Sequence, residues 1–171
     1  MNDPLPMVLI PGLRCSARLY APQLTQLWQF GAVTVSNHTR ADTLPAAVRR
    51  KCEELLIDVV GLCVTARREP YVTSAIAGWD DEGGCTAIGH ARPMSAAGAA
   101  FVNGTAAHGE DFDDTFEGGP VHAGAVIVPA VLAACERHRL HGQAALLGIA
   151  VGVETICRLG LVAPKAVHKA G

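Results

Sequence analysis

The rhythm of hydrophobic and polar positions changes near Thr43-Leu44-Pro45. Before that point, Met7 to Ile10 is a short apolar run stopped by Pro11-Gly12, the signature of a buried strand. Leu19 to Phe30 has the pattern of an amphipathic helix, and Ala32-Val-Thr-Val-Ser36 predicts a second strand. From Pro45 the period becomes helical. Val48, Cys52, Leu55, Leu56, Val59 and Cys63 form one apolar stripe, with Arg49, Arg50, Glu53 and Glu54 on the opposite side. Tyr71 to Trp79 predicts a short helix, Asp80-Asp-Glu-Gly-Gly84 an exposed turn, and Thr86-Ala-Ile-Gly89 a brief extended piece. Ser95 is placed to cap the small-residue helix that carries Asn103. Ala123 to His138 and Gly142 to Leu161 complete the helices, separated by the polar link Arg137-His-Arg-Leu-His-Gly142. The expected fold class is therefore mainly α, with a short β-α-β-like segment (residues 1–44) ahead of a helical part (residues 45–171).

Composition narrows the partners. Half of the 171 residues are hydrophobic but only 5% are aromatic, so Ala, Val, Leu and Gly must fill the core, which favours closely packed helices. A net charge of -2 and a pI of about 6.4 give no electrostatic footprint for nucleic acid or an anionic membrane surface. The few aromatics offer no platform for stacking bases. Met1-Asn-Asp-Pro does not open a secretion signal, and no apolar run is read as membrane-spanning; Ala123 to Ala134 is too short. The six cysteines are irregularly spaced without a Cys-x-x-Cys pair, so they are read as free buried thiols of a cytoplasmic protein.

The chemistry is concentrated in Asn103-Gly-Thr-Ala-Ala-His108-Gly-Glu-Asp111-Phe-Asp113-Asp114-Thr115, followed shortly by His122. In a helix, His108, Asp111 and Thr115 would share one face, where hydroxyl, carboxylate and imidazole groups hold a small acid and move a proton. The competing reading is an acidic helix end, with Asp113 or Asp114 capping the next helix. Three aspartates cannot share one pocket without mutual repulsion, so at least one of Asp113 and Asp114 is expected to cap or face solvent. Asp111-Phe-Asp113-Asp114 also fits the acidic motif of terpene cyclases, but those enzymes need an aromatic-lined cavity that this composition does not supply. Zinc would prefer more Cys or His at close spacing, and magnesium an oxygen set with waters.

Around this cluster the chain resembles the MmgE/PrpD family, which includes 2-methylcitrate dehydratase and cis-aconitate decarboxylase. The resemblance runs from Ser95 through Asn103-Gly and His108 into Asp111-Phe-Asp-Asp-Thr115. It continues in His122-Ala-Gly-Ala-Val-Ile-Val-Pro129 and Val151-Gly-Val-Glu154. It implies a lyase-type reaction on a small di- or tricarboxylate, with proton abstraction beside a carboxylate and loss of water or carbon dioxide. No cofactor and no metal are implied, and the complete family enzyme is expected to be a homodimer. Carried over residue by residue, Asp111 and His122 are the catalytic candidates. Thr115, His108 and Asn103 are the substrate-binding candidates. Asn103 reads first as a residue that bonds the local backbone beside Gly104, and His108 equally as one that supports Asp111. Arg158 and Lys165 read as solvated charges, and Lys165, His168 and Lys169 as a basic tail. The resemblance also implies that the segment like Val162 to Gly171 runs on into a Phe-His-Pro motif, with further active-site histidine and lysine positions and a smaller α+β domain. On that reading this chain is one wall of a site. The alternative is a catalytically inactive truncated or chimeric fragment that binds acids or pairs with a subunit. Residues 1–44 resemble the start of an α/β-hydrolase, with Val8-Leu-Ile-Pro-Gly12-Leu leading to its oxyanion loop. The Gly-x-Ser-x-Gly elbow is missing, so hydrolase chemistry has no nucleophile.

Overall fold

A computed structural model describes residues 44–119 and 121–162, together with the backbone of two short strands nearer the N-terminus. The chain divides into two compact units, Met1–Leu44 and Pro45–Gly171. In the first, β1 (Met7–Leu9) and β2 (Val33–Val35) pair in parallel, Met7 opposite Val33 and Leu9 opposite Val35. Both lie inside the apolar runs that predicted them. The helix expected over Leu19 to Phe30, the exit from β2, Cys15 and the basic tail with Lys165, His168 and Lys169 fall outside the described residues.

The second unit is mainly helical. Helix α1 (Ala46–Ala66) buries Cys52, Val59, Cys63 and Ala66, with Leu55 and Leu56 packed partly against the same core. Its other side carries exposed Arg49–Glu53 and Lys51–Glu54 pairs at 3.2 and 2.6 Å. These one-turn pairs keep the face wet and contribute little stability. Val48 belongs to the stripe by spacing but is 41% exposed, because it sits in the first turn, ahead of the packed part of the helix.

Helix α2 (Pro70–Ala77) starts on proline, whose missing N–H costs nothing in the first turn. It ends before Trp79. The Arg92 guanidinium donates to Ile76 O at 3.0 Å and Trp79 O at 2.7 Å, satisfying carbonyls at that end. The expected extended piece is the first strand of a small antiparallel pair, β3 (Cys85–Thr86) with β4 (Pro93–Met94). It stops at Thr86 because the chain turns between Ala87 and His90, with Gly89 at φ 83°.

Helix α3 (Ala96–His108) begins where Ser95 predicted, its hydroxyl accepting from Gly98 N at 3.1 Å. Its small residues let α4 (Ala123–His138) approach closely, and this is the most extensive helix pair of the unit. The contact between α4 and α1 is equally tight at Gly124. A β-carbon there would lie 2.3 Å from Asp114 Oδ1 and 2.8 Å from Leu55 Cδ1. Helix α5 (Gly142–Val162) packs on α4 and α1 through Ala145, Ile149 and Gly160, leaving Leu159 and Leu161 on the outside.

One sequence reading needs correction here. Among the described residues α5 is long and apolar enough, by length and composition, to cross a membrane. Glu154 and Arg158 interrupt its apolar run, and on the helix these charges pair one turn apart, Arg158 Nε donating to Glu154 at 2.6 Å.

The cysteines at 52, 63, 85, 135 and 157 are all free, the first three buried and the other two half-buried. Burial pushes the Cys63 thiol up to about 11, and its S–H donates to Asn103 O at 3.2 Å. Such a thiol stays neutral and serves as packing rather than as a nucleophile.

Candidate active site

The acidic segment is not helical, and this changes which residues meet. Helix α3 closes at His108, with Gly109 N donating back to Thr105 O at 3.0 Å. Asp111 N then reaches His108 O at 2.9 Å, and Asp111 itself adopts φ 58°. Aspartate tolerates this left-handed conformation better than most residues, and it reverses the chain. The shared helical face of His108, Asp111 and Thr115 therefore does not form. Instead the loop folds back, pinned by a bridge between Phe116 and Val121, and delivers His122 to the start of α4 beside His108.

Asp113 ties the two histidines together. Its side chain is completely shielded from solvent, and His108 Nδ1 lies 3.1 Å from each of its carboxylate oxygens. His122 Nδ1 is 3.4 Å from Asp113 Oδ1, without hydrogen-bond geometry. The two imidazoles are 4.9 Å apart, centre to centre, and tilted by 57°. Asp111 completes the group from the solvent side, its carboxylate 79% exposed and 3.9 Å from His122 Nε2. One ligand atom from each of His108, Asp111, Asp113 and His122 lies within 4.8 Å of the others. The imidazoles thus have carboxylates to pair with, which offsets the repulsion expected of clustered aspartates.

The remaining candidates have separate tasks. Asp114 is the capping aspartate: its Oδ1 accepts from Gly124 N at 2.7 Å in the first turn of α4. Thr115 is exposed, between Asp114 and the bridge at Phe116. Asn103 does not present its amide to an open site. It is 2% exposed, with Oδ1 accepting from Ile88 N at 2.8 Å and Nδ2 donating to Thr86 O at 2.9 Å. It clamps the β3 turn onto α3, so its backbone-bonding role extends across the fold rather than to its own neighbours.

The position of Asp113 was the residue-level signal that spacing could not supply. A carboxylate only accepts hydrogen bonds, so the His108 nitrogen facing it is the one that carries the proton. That leaves Nε2 as the His108 nitrogen available to a substrate. His122 is flanked by carboxylates on both nitrogens, and its ring stays 30% exposed. The cluster is open on its outer side, the His108 side chain being 53% and the Asp111 side chain 79% exposed, while two cavities of about 310 and 230 Å³ are lined by other residues.

A model of the MmgE/PrpD N-terminal domain matches residues 33–170. The chain belongs to the MmgE/PrpD family. Among curated proteins, the cis-aconitate decarboxylase-like protein oryM of Aspergillus oryzae is 32% identical over 127 residues, covering 68% of this chain and 26% of the relative. The cis-aconitate decarboxylase of Aspergillus terreus is 24% identical over 133 residues, covering 73% of this chain and 27% of the relative. The chain spans about a quarter of the length of these MmgE/PrpD relatives. The matched region takes in both the helical unit and the whole His/Asp cluster.

Proposed function

We propose that the cluster on this MmgE/PrpD chain is one wall of a lyase site for a small di- or tricarboxylate of the cis-aconitate type. The observation that carries the reading is the convergence of His108, Asp111, Asp113 and His122 within 4.8 Å, inside the region that matches the family. The names of the relatives supply the substrate class.

Decarboxylation breaks a C–C bond, leaves its electron pair on the carbon skeleton, and needs a proton delivered there as carbon dioxide departs. Dehydration needs a base to take the proton beside a carboxylate and an acid to protonate the leaving hydroxyl. Both demand an acid/base group beside the acid's carboxylates, and imidazole serves near neutral pH. His122 is the proton-transfer group in this reading, Asp111 orients it from the solvent side, and Asp113 positions both rings. His108 Nε2 and the Thr115 hydroxyl contact the substrate.

The test supplies the rest of the family sequence by joining this chain to the remaining part of the oryM-type relative. Asp111→Asn and His122→Ala are each expected to lower kcat on cis-aconitate or 2-methylcitrate about a hundredfold or more. Thr115→Val is expected mainly to raise KM. Turnover unchanged in both the Asp111 and the His122 variants would overturn the proposal.

A further inference from the structure

The geometry points to a second ligand for the same cluster: we propose that His108, Asp111, Asp113 and His122 bind one zinc-type divalent cation in a four-coordinate site. The location is shared with the lyase reading, but cation binding does not depend on that reading being right.

Zinc holds nitrogen at about 2.0–2.1 Å and carboxylate oxygen at about 2.0–2.2 Å in a tetrahedron, which puts neighbouring ligand atoms roughly 3.3–3.5 Å apart. His108 Nδ1 lies 3.1 Å, and His122 Nδ1 3.4 Å, from Asp113 Oδ1. Two edges of such a tetrahedron, both meeting at Asp113 Oδ1, are therefore already close to the required length. The fourth ligand, Asp111, is free to close on the others because its carboxylate is 79% exposed.

A second observation concerns His122 Nδ1. This nitrogen is shielded from solvent and has no hydrogen-bond partner, although Asp113 lies beside it. A buried polar atom in that state carries a cost that a ligand bond would remove. Asp113 is also fixed, its side chain having no solvent exposure. Most of the site is thus organised before any cation arrives.

Charge and donor type select the class of ion. Two carboxylates balance a divalent cation, while two neutral imidazoles add nitrogen donors without adding charge. Imidazole suits zinc and its transition-metal neighbours, whereas magnesium demands octahedral oxygen coordination and retains waters. The cation is not a cofactor for the proposed reaction. Ligation at His108 Nδ1 displaces the proton which that nitrogen shares with the Asp113 carboxylate.

Cobalt(II) is the probe, added to the reduced chain as it stands. The expected result is one equivalent bound with the intense visible bands of tetrahedral cobalt, all displaced by zinc. Asp111→Asn, a change at an exposed carboxylate that should leave the fold intact, is expected to weaken binding at least about tenfold, and His122→Ala more. Circular dichroism of both variants checks that the helices persist. Magnesium at the same concentration is expected not to displace the cobalt. Absence of binding, a weak octahedral spectrum, a near-ultraviolet sulfur-to-cobalt band marking the free cysteines, or unchanged affinity in the folded variants would each overturn the proposal. Failure of the metal-free chain to respond to cis-aconitate would count against the lyase reading alone.

Discussion

Replacing Asp113 by asparagine is expected to lower turnover roughly a hundredfold to ten-thousandfold when the chain is completed with the family sequence, with KM changing far less. The carboxylate faces Nδ1 of both His108 and His122, at 3.1 and 3.4 Å, and has no exposure to solvent. Asparagine has nearly the same shape but offers one acceptor and one donor. It can keep one ring in its present tautomer only by presenting its amide to the other. Imidazole nitrogen signals in an NMR spectrum would then show an altered tautomer for at least one of the two rings. Asp114→Asn is the contrast, because Asp114 caps α4 through Gly124 N and faces no imidazole among the described hydrogen bonds. Its effect is expected in stability, about 1 kcal/mol for a weakened cap. If Asp113→Asn left kcat within about twofold, Asp113 would have no place in the chemistry.

Asn103→Ala is expected to destabilise the helical unit by about 2–6 kcal/mol, the largest stability effect anticipated for any single side chain of the family motif. Its amide serves Ile88 N and Thr86 O at 2.8 and 2.9 Å from a buried position. Alanine would leave one donor and one acceptor without partners, and each such group costs about 1–3 kcal/mol. The small β3–β4 sheet would loosen first, since the other hold on Thr86 is the Glu136 carboxylate, at 2.7 Å from Thr86 N and 2.6 Å from its hydroxyl. Chemical denaturation would measure the loss, with Arg49→Ala as a control whose exposed pair is worth at most about 1 kcal/mol. A loss for Asn103→Ala no larger than for the control would show that the clamp is dispensable.

The helices were legible because their signals are local. Ser95 capped its helix, the Cys52–Val59–Cys63 stripe faced the core, and Ala123 to His138 formed as the apolar run indicated. The site was legible only as a list of residues. A helical face was expected for His108, Asp111 and Thr115, but one left-handed residue, Asp111 at φ 58°, turned the loop back on itself. Periodicity cannot report such a reversal, since it depends on the dihedral angles of a single residue. Of the two aspartates, one of which was expected to cap or face solvent, Asp114 took the cap, while Asp113 came to lie between two histidines. Asn103 shows the same limit from the other side. It bonds backbone as expected, but not beside Gly104: its partners Thr86 and Ile88 are brought to it by a strand pairing that local pattern does not encode.

In the proposed function, His108 and His122 act as parts of one carboxylate-binding wall. The most direct measurement is an NMR titration of the metal-free chain with cis-aconitate, following the imidazole signals of its histidines. The signals of His108 and His122 are expected to move together along one saturating curve, with His138 and His141, exposed beyond the cluster on α4 and its following link, unaffected. Acetate at equal concentration should not reproduce the change. Motion of neither ring, independent curves for the two, or an equal response to acetate would contradict the account.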